Sequence, residues 1–317
     1  MTRTVWFIAE HEEGTLHSGA GELAAAARGL EAEAVAVVCG ADGQAVANQA
    51  ALVADRVILI EDPTLAGCSA DAWGQAIVQA ASQQSPAAIL LPHSPLGREL
   101  APLLAVRLES GMISDCIELE WADGLVGTRS VYRRKLVARE RVTGDAPAVA
   151  TCQRGAFTAG APGVVGTVQR LEVEIDAARI RTRRISLEHA EPGEQDITEA
   201  DVIVAGGRGF GDKENFALVG ELASALGGAA AASRPVVDQG WVPHDRQVGS
   251  SGVTVRPKLY FALGISGAIQ HIVGRRESDI IVAVNKDPQA PIFEYAHYGI
   301  VDDVLKVVPA LIAAVTS

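Results

Sequence analysis

The segment LYFALGISGAIQH, residues 259–271, decides how this chain is read. Leu259–Leu263 is a short apolar run of strand length that stops at Gly264-Ile265-Ser266-Gly267. Ala268–Val273 then reads as helix. Glycine in a strand-to-helix turn lets the backbone approach a phosphate, and the helix start offers N–H groups and a positive dipole end. The same build recurs upstream, where Val202–Ala205 runs into Gly206-Gly207-Arg208-Gly209 and a helix is predicted over Glu214–Leu226. A third strand, Ile280–Val284, leads into Asn285-Lys286-Asp287-Pro288. Strands separated by helices predict a parallel sheet, and ligands of open α/β sheets sit at the carboxyl edge.

Neither glycine turn is a complete fingerprint. Asp212 breaks a G-x-G-x-x-G spacing, no G-K-[ST] follows, and the second glycine of 264–267 comes too early for a nucleophile elbow. Taken singly, each is equally a tight turn without a ligand. His271, one turn into its helix, is on its own equally a surface or a core histidine. Two such turns in one sheet point to a cofactor cradle. Ser233-Arg234-Pro235 and Asp245–Gly252 add loops dense in donors. No triad or metal-ligand set is recognisable.

Outward from this region, the first half alternates strands (Thr4–Ala9, Ala34–Cys39, Arg56–Glu61, Ala87–Pro92) with helices (Gly21–Leu30, Ala70–Ser82, Leu100–Leu108). Continuously apolar strands predict a parallel sheet covered on both faces. After Ser110 the stretches Ile117–Trp121, Leu125–Tyr132, Lys135–Val142 and Ala148–Gln153 read as antiparallel additions to it. Gly160–Gly163 reads as a loop, Val168–Ile175 and Ile180–Leu187 as extended, and Glu188–Thr198 as a linker. The fold expected is α/β with two Rossmann-like domains, residues 1–190 and 198–317: an N-terminal parallel sheet with antiparallel additions and a C-terminal doubly wound domain.

The 317 residues carry a net charge of -12, 48% hydrophobic and 21% charged residues. That balance suits a soluble protein and argues against nucleic acid or an anionic membrane surface as partner. Cys39, Cys68, Cys116 and Cys152 form no C-x-x-C pair, so zinc or iron–sulfur sites are not expected and a reduced, cytoplasmic setting fits. No signal peptide or membrane span is expected.

From Asp201 to Leu311 the chain closely resembles the FAD-binding domain of electron transfer flavoprotein alpha subunits. The resemblance rests on Pro257–His271, Ile281–Pro288 (IVAVNKDP), Ala290–Glu294 (APIFE) and Tyr298–Val301 (YGIV). Looser matches in the first domain are Ala9-Glu-His11, Ile89–Pro92, Gly97–Pro102, Ser114–Cys116 and Pro147–Phe157. It implies one FAD in an extended cleft. Arg208, Ser266, Gly267 and Gln270 would lie by the pyrophosphate and ribityl chain, and Gly264, Ala268 and Ile269 would also be cofactor-binding. Asn285, Lys286, Asp287, Asp303 and Val304 would lie toward the adenosine end. Ser233, Arg234, Gln247, Val248, Gly249, Ser250, Ser251 and His271 would surround the flavin ring, with Arg234 and His271 favouring its anionic one-electron state.

Three positions depart from the family pattern: Ser250-Ser251 for the common Gln-Thr, Asp302 for a small residue and His297 for an Asp. The resemblance further implies a bacterial, cytoplasmic heterodimer with an electron transfer flavoprotein beta subunit docked on the first domain. It would act as an electron carrier, not as an enzyme with its own substrate. Electrons would come from dehydrogenases of the acyl-CoA dehydrogenase type, as in fatty acid beta-oxidation, and pass to a quinone-linked acceptor. The alternative within the family is an electron-bifurcating flavoprotein that uses NADH and holds a second FAD in the beta subunit. Outside it stand a nucleotide-binding module without redox role and a free-standing flavin enzyme.

Overall fold

The computed structural model describes residues 3–132, 136–160, 165–182, 184–185, 196–198, 200–275 and 278–316; of Val273 and Arg275 only the backbone is described. The chain divides into two compact units, Met1–Leu187 and Glu188–Ser317. The expected loop falls largely outside the described residues at 161–163, as does most of the expected linker, at 188–195.

In the first unit the elements run β1 (Arg3–Ile8), β2 (His11–Glu12), β3 (Thr15–Leu16), α1 (Ala20–Gly29), β4 (Ala32–Gly40), α2 (Gln44–Ala50), β5 (Arg56–Glu61) and α3 (Ala70–Gln84). They continue through β6 (Ala88–Pro92), α4 (Pro95–Arg107), β7 (Met112–Trp121), β8 (Leu125–Val131), β9 (Leu136–Arg141), β10 (Ala148–Cys152) and β11 (Thr167–Arg170). Nine strands form one sheet in the order β11-β5-β4-β1-β6-β10-β7-β8-β9, and β2 and β3 form a separate small hairpin. Alternate residues of the strands feed two cores. Val5, Phe7, Ala36 and Val38 pack with α1 and α2, while Trp6, Ile8, Val35 and Val37 pack with α3 and α4.

Only β8 and β9 are antiparallel additions, through the pairs β7–β8 and β8–β9. Ala148–Cys152, expected among those additions, is instead a parallel strand inserted between β6 and β7. The reason lies in its surroundings: all five residues are buried, and a strand buried on both faces belongs inside a sheet. β4, predicted from Ala34, begins at Ala32, and α4, predicted from Leu100, begins at Pro95. Ser94 caps α4 by accepting from the Gly97 N–H at 2.9 Å, and Pro95 takes the first-turn place where its missing N–H costs nothing.

The expected extended stretch 168–175 is a strand only to Arg170. Beyond it the chain lies along α3, where the side-chain amides of Gln75, Gln79 and Gln83 donate to the carbonyls of Asp176, Glu174 and Glu172. Four-residue spacing puts those glutamines on one helix face, so the helix substitutes for a neighbouring strand. Of the stretch 180–187, the described residues 180–182 and 184–185 form no strand.

The second unit holds β12 (Val202–Gly206), α5 (Lys213–Ala225), β13 (Ala229–Ala232), α6 (Arg234–Asp238), β14 (Leu259–Leu263), α7 (Ile269–Arg275), β15 (Ile280–Val284), β16 (Tyr298–Ile300) and α8 (Val304–Thr316). Its five strands are all parallel in the order β13-β12-β14-β15-β16. Val204, Phe261, Leu263 and Val284 meet α5 and α8 on one face; Ile203, Tyr260, Ala262 and Ala283 meet Val248, Ile265 and Ile272 on the other. This is an α/β sheet covered on both sides. β13, α6, β16 and α8 go beyond the sequence reading: Arg234 and Pro235, expected in a loop, open α6, where proline suits the first turn. Among the described residues no helix is long and apolar enough to cross a membrane, and no group of metal-binding side chains occurs.

Candidate functional site

In the second unit the order β13-β12-β14 places β12 between the strand that follows it and the one after that. The winding direction therefore reverses between β12 and β14, and at such a point the loops leave a crevice at the carboxyl edge. The predicted site residues all leave that edge. Arg208 follows β12, Ser233 and Arg234 follow β13, and Gly264 to His271 follow β14. Asn285 to Asp287 follow β15, while Asp303 and Val304 follow β16. Gln247 to Ser251 come from a loop that makes a parallel bridge from Gln247 to Ala232, at the end of β13.

Backbone hydrogen bonds tie these loops together in a row. Ser233 N–H donates to Gly206 O at 3.0 Å, Gly207 to Leu263 O at 2.8 Å and Gly209 to Gly264 O at 3.1 Å. Gly264 N–H reaches Val284 O at 2.8 Å, and Asn285 N–H reaches Ile300 O at 3.2 Å. Asn285 Nδ2 donates to Ile265 O at 3.0 Å, pinning the β14 loop to the β15 loop. The glycines serve this packing. A Cβ on Gly207 would stand 2.3 Å from Gly264 O, and one on Gly206 2.3 Å from the Phe216 ring. Gly267 has φ +90°, and a Cβ there would stand 2.2 Å from the Ile292 nitrogen. The sequence reading took these glycines as room for a ligand. In the structure Gly207, Gly209 and Gly264 make room for one another, Gly267 for the backbone at Ile292, and Gly206 for the Phe216 and Val219 side chains.

The close packing fixes the first turn of α7. The N–H groups of Ser266, Gly267, Ala268, Ile269 and Gln270 have no protein acceptor among the described residues. Ser266, Ala268, Ile269 and Gln270 are exposed, as are Arg208 and Lys286. The carboxyl edge therefore offers a run of backbone donors, on a loop bonded to the loops that carry the exposed Arg208 and Lys286. Asp287 and Asp303 turn their carboxylates to local N–H groups, of Gln289 and Leu305, each at 2.9 Å. Val304 is buried in the α8 core, so only its backbone faces the edge.

Arg234 is exposed, with its Nε 3.3 Å from Asp238. Ser233 is buried at its side. Gln247 is buried, and its Nε2 donates to Ser251 Oγ at 3.0 Å. Ser250 N–H donates to Gln270 O at 2.7 Å, clipping that loop to α7. Gly249 has φ +149° and sits against Gln270 O. His271 is buried, with Nδ1 3.0 Å from Val248 O and Nε2 2.9 Å from the Tyr260 hydroxyl. Tyr260 is a polar partner that the sequence reading missed, because in an apolar strand it reads as core; a tyrosine eleven residues before a helical histidine was the available signal. His297 accepts the Ile281 N–H on Nδ1 at 3.0 Å, as a carboxylate would.

Residues 196–276 match the family described as the electron transfer flavoprotein FAD-binding domain, and residues 5–179 match the electron transfer flavoprotein domain. A protein FixB of Clostridium saccharobutylicum is 38% identical over 98% of this chain and 95% of its own. Electron transfer flavoprotein subunits alpha of Thermoanaerobacterium thermosaccharolyticum and Bacillus subtilis are 38% and 37% identical, each over 98% of this chain and 97% of their own. A thiamin diphosphate-dependent enzyme structure from Mycobacterium smegmatis aligns over 98% of this chain and 59% of its own at 13% identity, with a TM-score of 0.23. Both units fall within one family and the relatives align from end to end, so FAD is the cofactor of the second unit, and the chain belongs to the electron transfer flavoprotein alpha-subunit family.

Proposed function

We propose that FAD lies along the carboxyl edge of the second sheet and that the chain is the FAD-holding half of a heterodimeric electron carrier. The observation that carries this reading is the run of N–H groups from Ser266 to Gln270, without an acceptor among the described residues, at the reversal point between β12 and β14. Such a run fits a pyrophosphate, whose oxygens accept without any proton to give. Arg208, Ser266, Gly267 and Gln270 would hold the phosphates and ribityl chain, with the Gly264 turn and the backbone of Ala268 and Ile269 shaping that contact. Asn285, Lys286, Asp287, Asp303 and the Val304 backbone would hold the adenosine. Ser233, Arg234, Gln247 to Ser251 and His271 would line the ring. Bound FAD supplies the group that takes up and gives up electrons. The protein's part is to orient it: Arg234 sets a positive charge near it, Gln247 fixes the Ser251 hydroxyl, and the clip between Ser250 and Gln270 holds the ring-side loop on α7.

The first unit is the docking surface for the beta subunit on this reading. Val106, Tyr132, Leu136 and Val137 are each more than half exposed there, and apolar area of this kind is covered in obligate assemblies. Donors of the acyl-CoA dehydrogenase type, a quinone-linked acceptor, a place in fatty acid beta-oxidation and a cytoplasmic location complete the proposal. Co-purification with the beta subunit, a visible spectrum and a stepwise reductive titration test it. One FAD per heterodimer, reduced in one-electron steps, is the expected result. Two flavins and reduction by NADH would point to the bifurcating alternative, and a colourless heterodimer would overturn the reading.

A further inference from the structure

His271 does not stand free in the candidate site. It is the third residue of α7 and is buried. Nδ1 is 3.0 Å from the Val248 carbonyl, and Nε2 is 2.9 Å from the Tyr260 hydroxyl. Both partners are rigid. Val248 donates its own N–H to Ala232 O at 2.9 Å, at the end of β13. Tyr260 is fully buried in β14 and hydrogen-bonded across the sheet core, its ring 6.1 Å from the imidazole between centroids.

The chemistry of the two partners fixes the imidazole. A carbonyl can only accept, so Nδ1 carries the proton. Nε2 then presents a lone pair, and the Tyr260 O–H donates to it. The alternative tautomer, with hydrogen on Nε2, would set two acceptors, Nδ1 and the Val248 oxygen, against each other in a buried place, which costs on the order of 1–3 kcal/mol. We propose that Tyr260 is a positioning residue for the flavin site: with the Val248 carbonyl it fixes His271 as the Nδ1–H tautomer and sets the direction of the imidazole before any cofactor is in place. This rests on the reading of His271 as a flavin neighbour for its use, though not for its geometry. The tautomer decides which edge of the ring carries a hydrogen and which a lone pair.

Tyr260 also explains the chain's own sequence logic. A tyrosine inside a fully buried parallel strand brings a hydroxyl that must find a partner. Here the strand supplies the group that the following helix requires, eleven residues later and one turn past the glycines.

The test uses the heterodimer purified with its flavin, labelled with nitrogen-15 in the histidine rings, with His271→Gln identifying the His271 signals. In the native protein at neutral pH the His271 Nδ1 is expected to show the shift and one-bond coupling of a protonated nitrogen, and Nε2 that of a hydrogen-bonded acceptor. In Tyr260→Phe the Nε2 signal is expected to move toward that of an unbonded ring nitrogen or to lose single-tautomer character, with FAD content unchanged. A native Nε2 that carries the hydrogen, or an Nε2 signal unmoved by Tyr260→Phe, overturns the proposal. Should Tyr260→Phe fail to fold, the native tautomer alone decides. A heterodimer without flavin would overturn the cofactor reading, while the histidine signals would still decide the Tyr260–His271 pair.

Discussion

Two side chains of the proposed site carry separable predictions. Arg234 stays charged at any working pH, and reduction adds negative charge to a flavin, so its removal lowers the first reduction potential. Unit charges about 5 Å apart interact by about 3 kcal/mol at an effective dielectric of 20 and about 1 kcal/mol in water. Its exposure and its Asp238 partner at 3.3 Å move it toward the weaker figure. With about 1.4 kcal/mol to 59 mV for one electron, Arg234→Ala should lower the potential by roughly 40–100 mV, and Arg234→Lys should recover part of that. Asp238→Asn should shift it the other way by less. An unmoved potential with FAD fully bound would remove the electrostatic role. Ser251 Oγ already accepts from Gln247, so its own proton is free to point elsewhere. Ser251→Ala should move the potential by tens of millivolts, about one net hydrogen bond, and leave FAD content intact. A Ser251→Ala protein that purifies without flavin would make the residue structural.

At the scale of elements, the loop between β14 and α7 depends on Gly267. Its φ of +90° and the 2.2 Å approach of a Cβ to the Ile292 nitrogen make any side chain there a backbone clash. Gly267→Ala should therefore destabilise the second unit by roughly 2–4 kcal/mol and displace the N–H groups from 266 to 270. Thermal melting and flavin content should fall together; a variant that melts normally but lacks FAD would show that the glycine serves the ligand alone. The strands of this unit illustrate what local pattern reveals. Leu259–Leu263 and Ile280–Val284 have the bounds expected from sequence, because β-branched and aromatic residues favour a buried pleat. β13 is four alanines, a composition that favours helix by propensity, and only its place between β12 and the Gln247 bridge makes it a strand.

For the molecule as a whole, the first unit has a switch point of its own, between β1 and β6. There the chain places its own carboxylate: Glu10 is buried and accepts from Ser94 Oγ at 2.6 Å. Burial pushes its carboxyl above the ordinary value of 4.5, against the Ser94 hydrogen bond and His17, which pull it down. A raised acid pKa means the folded state holds the proton more tightly than the unfolded chain. Its contribution is therefore full below 4.5 and is lost as the pH rises through the folded value. Glu10→Gln should gain stability relative to the native protein as pH increases above that range, read from urea midpoints across the acid-to-neutral interval. Parallel pH profiles for the two would exclude Glu10 as the source. The division of labour between units makes a further test. A fragment from Gln195 to Ser317 should retain FAD, more weakly than the heterodimer, and flavin retained instead by Met1–His189 would reverse the assignment.

Much of the α/β architecture is determined by sequence alone, since continuous apolar strands, glycine turns and helical periodicity are local signals read at fixed spacing. The family, and with it FAD, is legible for the same reason: long segments such as 257–271 keep their residues in order. What tertiary structure decided is everything that depends on distant partners. Ala148–Cys152 became a central parallel strand because both its faces are buried. Gly207, Gly209 and Gly264 proved to be spacing for one another across the sheet edge, and Gly206 for the Phe216 ring. Tyr260 meets His271 because a hydroxyl in a dry core must bond, and the group within reach comes from another element. Pattern is a property of neighbours along the chain, whereas hydrogen-bond satisfaction and close approach are set by neighbours in space, which sequence order does not specify.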